Sequence, residues 1–269
     1  MHLSDECGVT LPMDLSNNNP NKTVMNPASS GEWFSQWFNS PYYHILYKNR
    51  DDSEAKLLID NLAIFLEISP DDKILDLGCG KGRHAIYLNQ KGFDVVGIDL
   101  AEENIRHAQK FANERLQFFR HDKRHIFRKE YFDILLNLFT SFGYFKTDAE
   151  NIQALKAAAG NLKKGGFMVI DFMNTPKVLG QLKALEYKTI DGITFEIRKR
   201  IDKRLIIKDI YFTDNNRSFH FQERLMAITQ ADFMRYFQAA GLQLLHIFGD
   251  YRLAPYAPDS DRMIFVLKK

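Results

Sequence analysis

The chain has 269 residues, with 36 basic and 34 acidic side chains, so its formal net charge is only +2. That near balance argues against a dedicated nucleic-acid binder, while 45% hydrophobic residues suffice for one large α/β domain with a sizeable core. Two distant cysteines, Cys7 and Cys79, exclude a disulfide framework or a cysteine-rich metal site. No apolar run reaches the roughly 18 residues of a membrane span, and the first residues lack the basic start and apolar middle of a secretory signal. A reducing, cytoplasmic setting is the expectation.

Residues 1–30 are polar and turn-rich and read as a flexible tail. Between Trp33 and Arg50 the aromatics Trp33, Phe34, Trp37, Phe38, Tyr42, Tyr43 and Tyr47 crowd together. Two readings stand side by side: a helix sealing one edge of the core, or a flap over a ligand with tyrosine hydroxyls as polar handles. Glu54 to Leu66 has the period of an amphipathic helix. After Pro70, Ile74 to Leu77 is a short apolar run of a buried strand. It leads into Gly78-Cys-Gly-Lys-Gly-Arg83, where glycines permit a tight turn and close backbone approach to a ligand. A helix over 84–90 and a strand over Val95 to Ile98, tipped by Asp99, complete a strand–loop–helix–strand unit. Units of this kind bind nucleoside ligands at the carboxyl ends of parallel strands.

The alternation continues. A helix is expected over 101–113, strands over Leu116 to Arg120 and Phe132 to Leu136, and a helix over Asp148 to Leu162. Lys163-Lys-Gly-Gly166 reads as its closing turn, and a fifth strand runs from Phe167 to Ile170, tipped by Asp171. Such alternation predicts a doubly wound, mostly parallel seven-stranded sheet. From about 186 the period becomes two, giving an antiparallel β insertion over 186–228 on the substrate side. Thr229 with Asp232 then forms a capping box for a helix ended by Gly241, and two strands, Leu242 to Phe248 and Met263 to Leu267, return to the core. The expected layout is therefore a tail (1–30), a core with its aromatic flap (31–185), the insertion (186–228) and the return (229–269).

The loop at 78–83 is not a P-loop, because no Gly-Lys-Ser/Thr follows at the required spacing. It is not a dinucleotide fingerprint either, because Arg83 stands where the third glycine allows close helix–strand packing. Taken in order, Leu75-Asp-Leu-Gly-Cys-Gly-Lys-Gly82, Gly97-Ile-Asp-Leu100, Asp122, Phe132-Asp133 and Leu162-Lys-Lys-Gly-Gly166 resemble the S-adenosylmethionine-dependent methyltransferases of Rossmann-like fold. The aromatic N-terminal segment, Ser141-Phe-Gly-Tyr144 and the insertion make the chain similar to small-molecule members, including sugar-amine N-methyltransferases. Lys81 departs from the small residue usual in that loop.

The resemblance implies S-adenosylmethionine as cofactor, with Asp99 accepting the ribose hydroxyls, Leu100 against adenine and Asp122, with Lys123 beside it, near the adenine amino group. It places Asp76, Gly78, Cys79, Gly80 and Arg83 around the methionine part, Leu138 and Phe139 along the wall, and Tyr42 and Tyr43 above. Asp99 as a helix cap and Asp122 as a turn former are the competing structural readings. Candidate substrate contacts are Tyr144, Asn174 and Glu223, and for Glu223 a structural pair with a nearby Lys or Arg is the competing reading. Methyl transfer needs a general base only if the acceptor arrives protonated, so no catalytic residue can be demanded. His121 and His125 have no third ligand nearby, and no metal is expected. The partner expected is a small-molecule methyl acceptor, with no membrane or nucleic acid, and a homodimer is left open. RNA or protein methylation and cofactor binding without turnover are the alternatives.

Overall fold

A computed structural model describes residues 37–48 and 52–269. The expected tail, Cys7, Trp33 and Phe34 lie outside the described residues. Seven strands form the main sheet: β1 (Lys73–Leu77), β2 (Asp94–Asp99), β3 (Leu116–Arg120), β4 (Phe132–Asn137), β5 (Leu162–Met173), β10 (Gln243–Phe248) and β11 (Arg262–Lys268). Their order is β10-β11-β5-β4-β1-β2-β3. Neighbours from β3 across to β5 pair in parallel, whereas β11 runs antiparallel to both β5 and β10. The chain winds outward from β1 to β3, then restarts beside β1 with β4. That reversal opens a crevice at the carboxyl ends of β1 and β4, where sheets of this kind take ligands.

Alternate residues of the central strands feed two cores. Leu75, Leu77, Val96, Ile98 and Leu135 pack on one face, against α5 (Asp148–Asn161) and α7 (Gln230–Ala240). Ile74, Val95, Ile134 and Leu136 pack on the other, against α2 (Asp52–Phe65), α3 (Arg83–Gln90) and α4 (Glu102–Ala108). Both capping boxes close: Thr147 with Glu150 starts α5 and Thr229 with Asp232 starts α7, which ends on Gly241 at φ 69°.

Four differences from the sequence expectation have local causes. The helix expected to 113 ends at Ala108 and tightens into a 3-10 turn over Gln109–Phe111, after which Asn113 bridges to Leu116. Lys163-Lys-Gly-Gly166 is no separate turn, because β5 already begins at Leu162, with an irregularity where β4 pairs between Phe132 and Ile134. A short helix, α6 (Thr175–Gly180), follows β5. The insertion has four strands: β6 (Leu185–Ile190), β7 (Ile193–Asp202), β8 (Leu205–Asp214) and β9 (Arg217–Met226), each antiparallel to the next.

The inner face of this small sheet carries α1 (Pro41–Leu46) and the residues just before it. Trp37 and Leu46 are buried among Ile193, Phe195, Ile197, Ile210 and Phe212, a third core separate from the other two. Ser40 caps α1 by accepting the Tyr42 N–H.

Candidate active site

A cavity of about 430 Å³ opens at the carboxyl ends of the parallel strands. Its floor is the glycine loop, one wall is the end of β2 and the segment after β3, and another is the segment after β4. Its remaining side is α1 with its flanking residues: Tyr43 and His44 from the helix, Tyr47 and Lys48 just after it and Phe38 just before it. Helical spacing explains this division of labour: Tyr43 with Tyr47 and His44 with Lys48 are i, i+4 pairs on the cavity side, while Trp37 and Leu46 face the small sheet. The two readings of the aromatic segment are thus two sides of one element, which both seals a core and roofs a cavity.

Gly78 and Cys79 donate their N–H groups to the Ile98 carbonyl, fastening the loop to β2. Gly82, at φ 87°, caps α3 without a side chain, and a Cβ there would come within 2.8 Å of the Phe118 ring. The tight approach that a dinucleotide fold assigns to its last glycine is therefore made by Gly82, which leaves Arg83 free to be the first residue of α3. Gly80 also has positive φ, and an added Cβ would meet no protein atom within 4 Å, because that side of it faces the cavity.

Asp99 accepts the Gly80 N–H on Oδ2 at 2.9 Å and the Ala101 N–H on Oδ1 at 2.8 Å. The carboxylate thus ties the glycine loop to the start of α4, yet each oxygen keeps further acceptor capacity. Burial pushes its pKa up, and the two backbone donors oppose that shift. Asp122 lines the cavity but is engaged by Arg124, whose backbone N–H donates to Oδ1 at 2.9 Å and whose guanidinium reaches Oδ2 at 2.6 Å. Its turn-forming reading is realised in the structure. Lys123 donates to the Ser141 carbonyl, bridging the segments after β3 and β4. Burial lowers its pKa to about 8 against the pull of Asp99 and Asp122. Its ammonium lies 5.9 Å from the Tyr144 ring centroid and 5.4 Å from that of Phe145.

Of the expected residues, Tyr43, Gly78, Cys79, Gly80, Arg83, Asp99, Leu100, Asp122, Lys123, Leu138, Phe139 and Tyr144 line this one cavity. Four others do not. Tyr42 turns to the small sheet, donating to Asp214 at 2.8 Å and packing on Phe212 and Phe219. Asp76 is buried in β1 behind the loop, where burial and then the Asp99 charge raise its pKa to about 7. Asn174 donates to the carbonyls of Pro258 and Ser260 and so holds the segment before β11. Glu223 accepts from Trp37 Nε1 and the Tyr47 hydroxyl, both at 2.6 Å, and from Lys208 at 2.7 Å. Its structural pairing, with Lys208, is the one the fold adopts. Among the described residues none of β6 to β9 lines the cavity, so the insertion acts on it from behind, by carrying α1 and through the Met226 N–H, which donates to the Gly143 carbonyl at 2.8 Å beside the lining residues.

Sequence reasoning placed Phe38 and Tyr47 in the aromatic segment without naming them as site residues, and missed His44, Lys48, Lys81, His84, Ile98, Asn104, His121, Ser141 and Phe145 as cavity residues. The i, i+4 pattern in α1 could have signalled His44 and Tyr47. Ser141 and Phe145 flank the already noted Tyr144. Burial holds the His84 imidazole neutral, at a pKa of about 3, and its Nε2 has no hydrogen-bond partner among the described residues. Cys79 is buried and its thiol is pushed well up, which suits packing and opposes nucleophilic chemistry.

Residues 74–166 match the family model described as a methyltransferase domain. The dTDP-3-amino-3,4,6-trideoxy-alpha-D-glucopyranose N,N-dimethyltransferase of Streptomyces venezuelae is 24% identical over 219 residues, 77% of this chain and 91% of its own. The glycine/sarcosine N-methyltransferase of Aphanothece halophytica is 27% identical over 206 residues, 73% and 76% of the two chains. The fold is shared with an S-adenosylmethionine-dependent methyltransferase from Clostridium acetobutylicum, at a TM-score of 0.72, 21% identity and coverage of 84% and 95%. Residues 74–166, with a strand-end acid over a glycine loop at the sheet's switch point, thus form a methyltransferase domain.

Proposed function

We propose that this enzyme methylates an amine nitrogen of a small-molecule acceptor, an amino sugar being the acceptor class favoured. The observation that carries this reading is the aromatic lining: Phe38, Tyr43, Tyr47, Tyr144 and Phe145 all line the cavity, with the Phe38 ring against those of Tyr43 and Tyr144. Ring faces attract cations, as they do the Lys123 ammonium that sits over two of these rings, and so would hold a protonated amine. That amine must give up its proton to a base or to water before its lone pair attacks. Both curated relatives described above are, by name, N-methyltransferases.

The donor set fits S-adenosylmethionine. Asp99 is preorganised by two backbone donors to accept a vicinal diol, and Gly80 leaves open space beside its backbone. His84 offers an unpaired ring nitrogen and Arg83 a cation at the start of α3. When bound, the cofactor supplies a methyl group on a sulfonium, a carbon that already carries its leaving group. The protein's part is then alignment in a dry enclosure: Leu138 and Phe139 shape the wall, and the α1 aromatics exclude water and hold the acceptor. The neutral His44 imidazole, lowered to about 4 mainly by burial, adds no cation to that lining.

Calorimetry with S-adenosylhomocysteine and with NAD is the first test, and binding of the former alone is expected. A screen of amino sugars, other amines and RNA with a labelled methyl donor then reads the acceptor. Label confined to RNA or to non-amine acceptors would refute the amine reading.

A further inference from the structure

Phe139 and Thr140 are consecutive non-glycine residues at positive φ, 53° and 59°. Left-handed backbone is costly for any L residue, and most of all for a β-branched one. Such geometry persists only where the surroundings over-determine it, and here the surroundings can be named. Asp171, fully buried within β5 and two residues before its end, accepts the Phe139 N–H on Oδ2 at 2.8 Å. Its backbone carbonyl accepts the Thr140 N–H at 3.0 Å. Arg262 of β11 donates from Nε to Asp171 Oδ1 at 2.7 Å and from a terminal nitrogen to Thr140 Oγ1 at 2.9 Å. Tyr251 reaches Asp171 Oδ2 with its hydroxyl at 3.4 Å and stacks on the Phe139 ring, with centroids 5.2 Å apart. The Arg83 guanidinium lies over that same ring at 4.4 Å.

Only Phe139 and Arg83 of this assembly line the cavity; Asp171, Thr140, Tyr251 and Arg262 stand behind it. We propose that Asp171 and Arg262 are positioning residues: they hold the left-handed Phe139–Thr140 turn, and through it set the Phe139 ring and the Arg83 guanidinium for cofactor binding. Asp171, expected to tip the fifth strand, is instead carried inside β5, which runs on to Met173, and fastens the wall rather than reaching over the ligand. Two partners are needed because the buried carboxylate requires a cation, and among the described residues Arg262 is the cation that bonds both it and the turn. The inference rests on the cofactor reading above.

The test measures S-adenosylhomocysteine affinity and amide hydrogen exchange for the parent, Asp171→Asn and Arg262→Gln, each also combined with Thr140→Gly. Either single variant is expected to weaken binding on the order of tenfold, the cost of one buried polar group left unsatisfied, and to speed exchange at Phe139 and Thr140. Glycine adopts positive φ without strain, so Thr140→Gly should recover most of the lost affinity. A merely structural pair would show no such rescue. Parent-like affinity and exchange in both single variants, or lost affinity that glycine does not restore, would overturn the proposal. If the parent itself fails to bind, the cofactor reading falls, while exchange at Phe139 and Thr140 still decides whether Asp171 and Arg262 hold the turn.

Discussion

At the scale of single residues, Asp99 ties the glycine loop to the start of α4 and, on the function proposed above, also accepts the cofactor's diol. Its two backbone donors fix the side chain before any ligand arrives, so binding need not order it. Asp99→Asn presents an amide N–H toward one of those donors and loses acceptor capacity. We expect it to weaken S-adenosylhomocysteine binding on the order of 100-fold, as loss of a charge-assisted bond in a buried site requires; calorimetry checks this. Asp76 gives a pH signature. Its folded pKa, about 7, lies above the ordinary 3.8, so the folded state holds this proton more tightly than the unfolded chain. Its contribution is most favourable below about pH 3.8 and is lost as pH rises to about 7, a ceiling of about 4 kcal/mol. Asp76→Asn should therefore raise Tm more at pH 8 than at pH 4, and an equal shift at both would refute the assignment. Asp99 and the glycine loop were legible because their meaning is local: a turn, a strand tip, a spacing. The Lys208 partner of Glu223 was within reach of the sequence reading, but its Trp37 partner and the Asp214 partner of Tyr42 were not, because they lie 186 and 172 residues away in sequence.

At the scale of elements, α1 is too short, at six residues, to be stable by itself. Its position comes from the small sheet, through the packing of Trp37 and through Glu223, which gathers Trp37, Tyr47 and Lys208. Glu223→Gln leaves the Lys208 charge without its partner. Both side chains keep some exposure, 15% and 23%, so we expect a loss of about 2 kcal/mol in urea unfolding, below the cost of breaking a fully buried pair. Removing both charges in Glu223→Gln/Lys208→Met should recover part of that stability, because no unpaired charge remains; a double variant no more stable than Glu223→Gln would refute the pairing. The strands were legible where burial alternates, as in β7, and illegible in β6, none of whose residues is buried. A strand without a buried face has no period to read.

For the whole molecule, a parallel sheet between helix layers builds the ligand's floor and a separately cored sheet supports its roof. Among the described residues no helix is long and apolar enough to cross a membrane. A ligand that binds only the folded state at 100 times its Kd adds about 2.7 kcal/mol. For a chain of this size that corresponds to a rise in Tm of roughly 5–10 °C with S-adenosylhomocysteine, and the Asp99→Asn protein should show almost none. The architecture could be read from the sequence because periodicity and turn chemistry are repeated along it. The enclosure could not, because it is made where the small sheet lays α1 across the strand ends.

The Trp37–Glu223 bond also sets an order of assembly. During synthesis α1 emerges early, but its anchor lies 186 residues later, and the inner face that seats it is complete only once β9 has been made. The nucleotide floor, from β1 to β5, leaves the ribosome before that. The roof is the first described segment to be translated and among the last to find its place, so a chain released before β9 would have the floor's sequence and no enclosure.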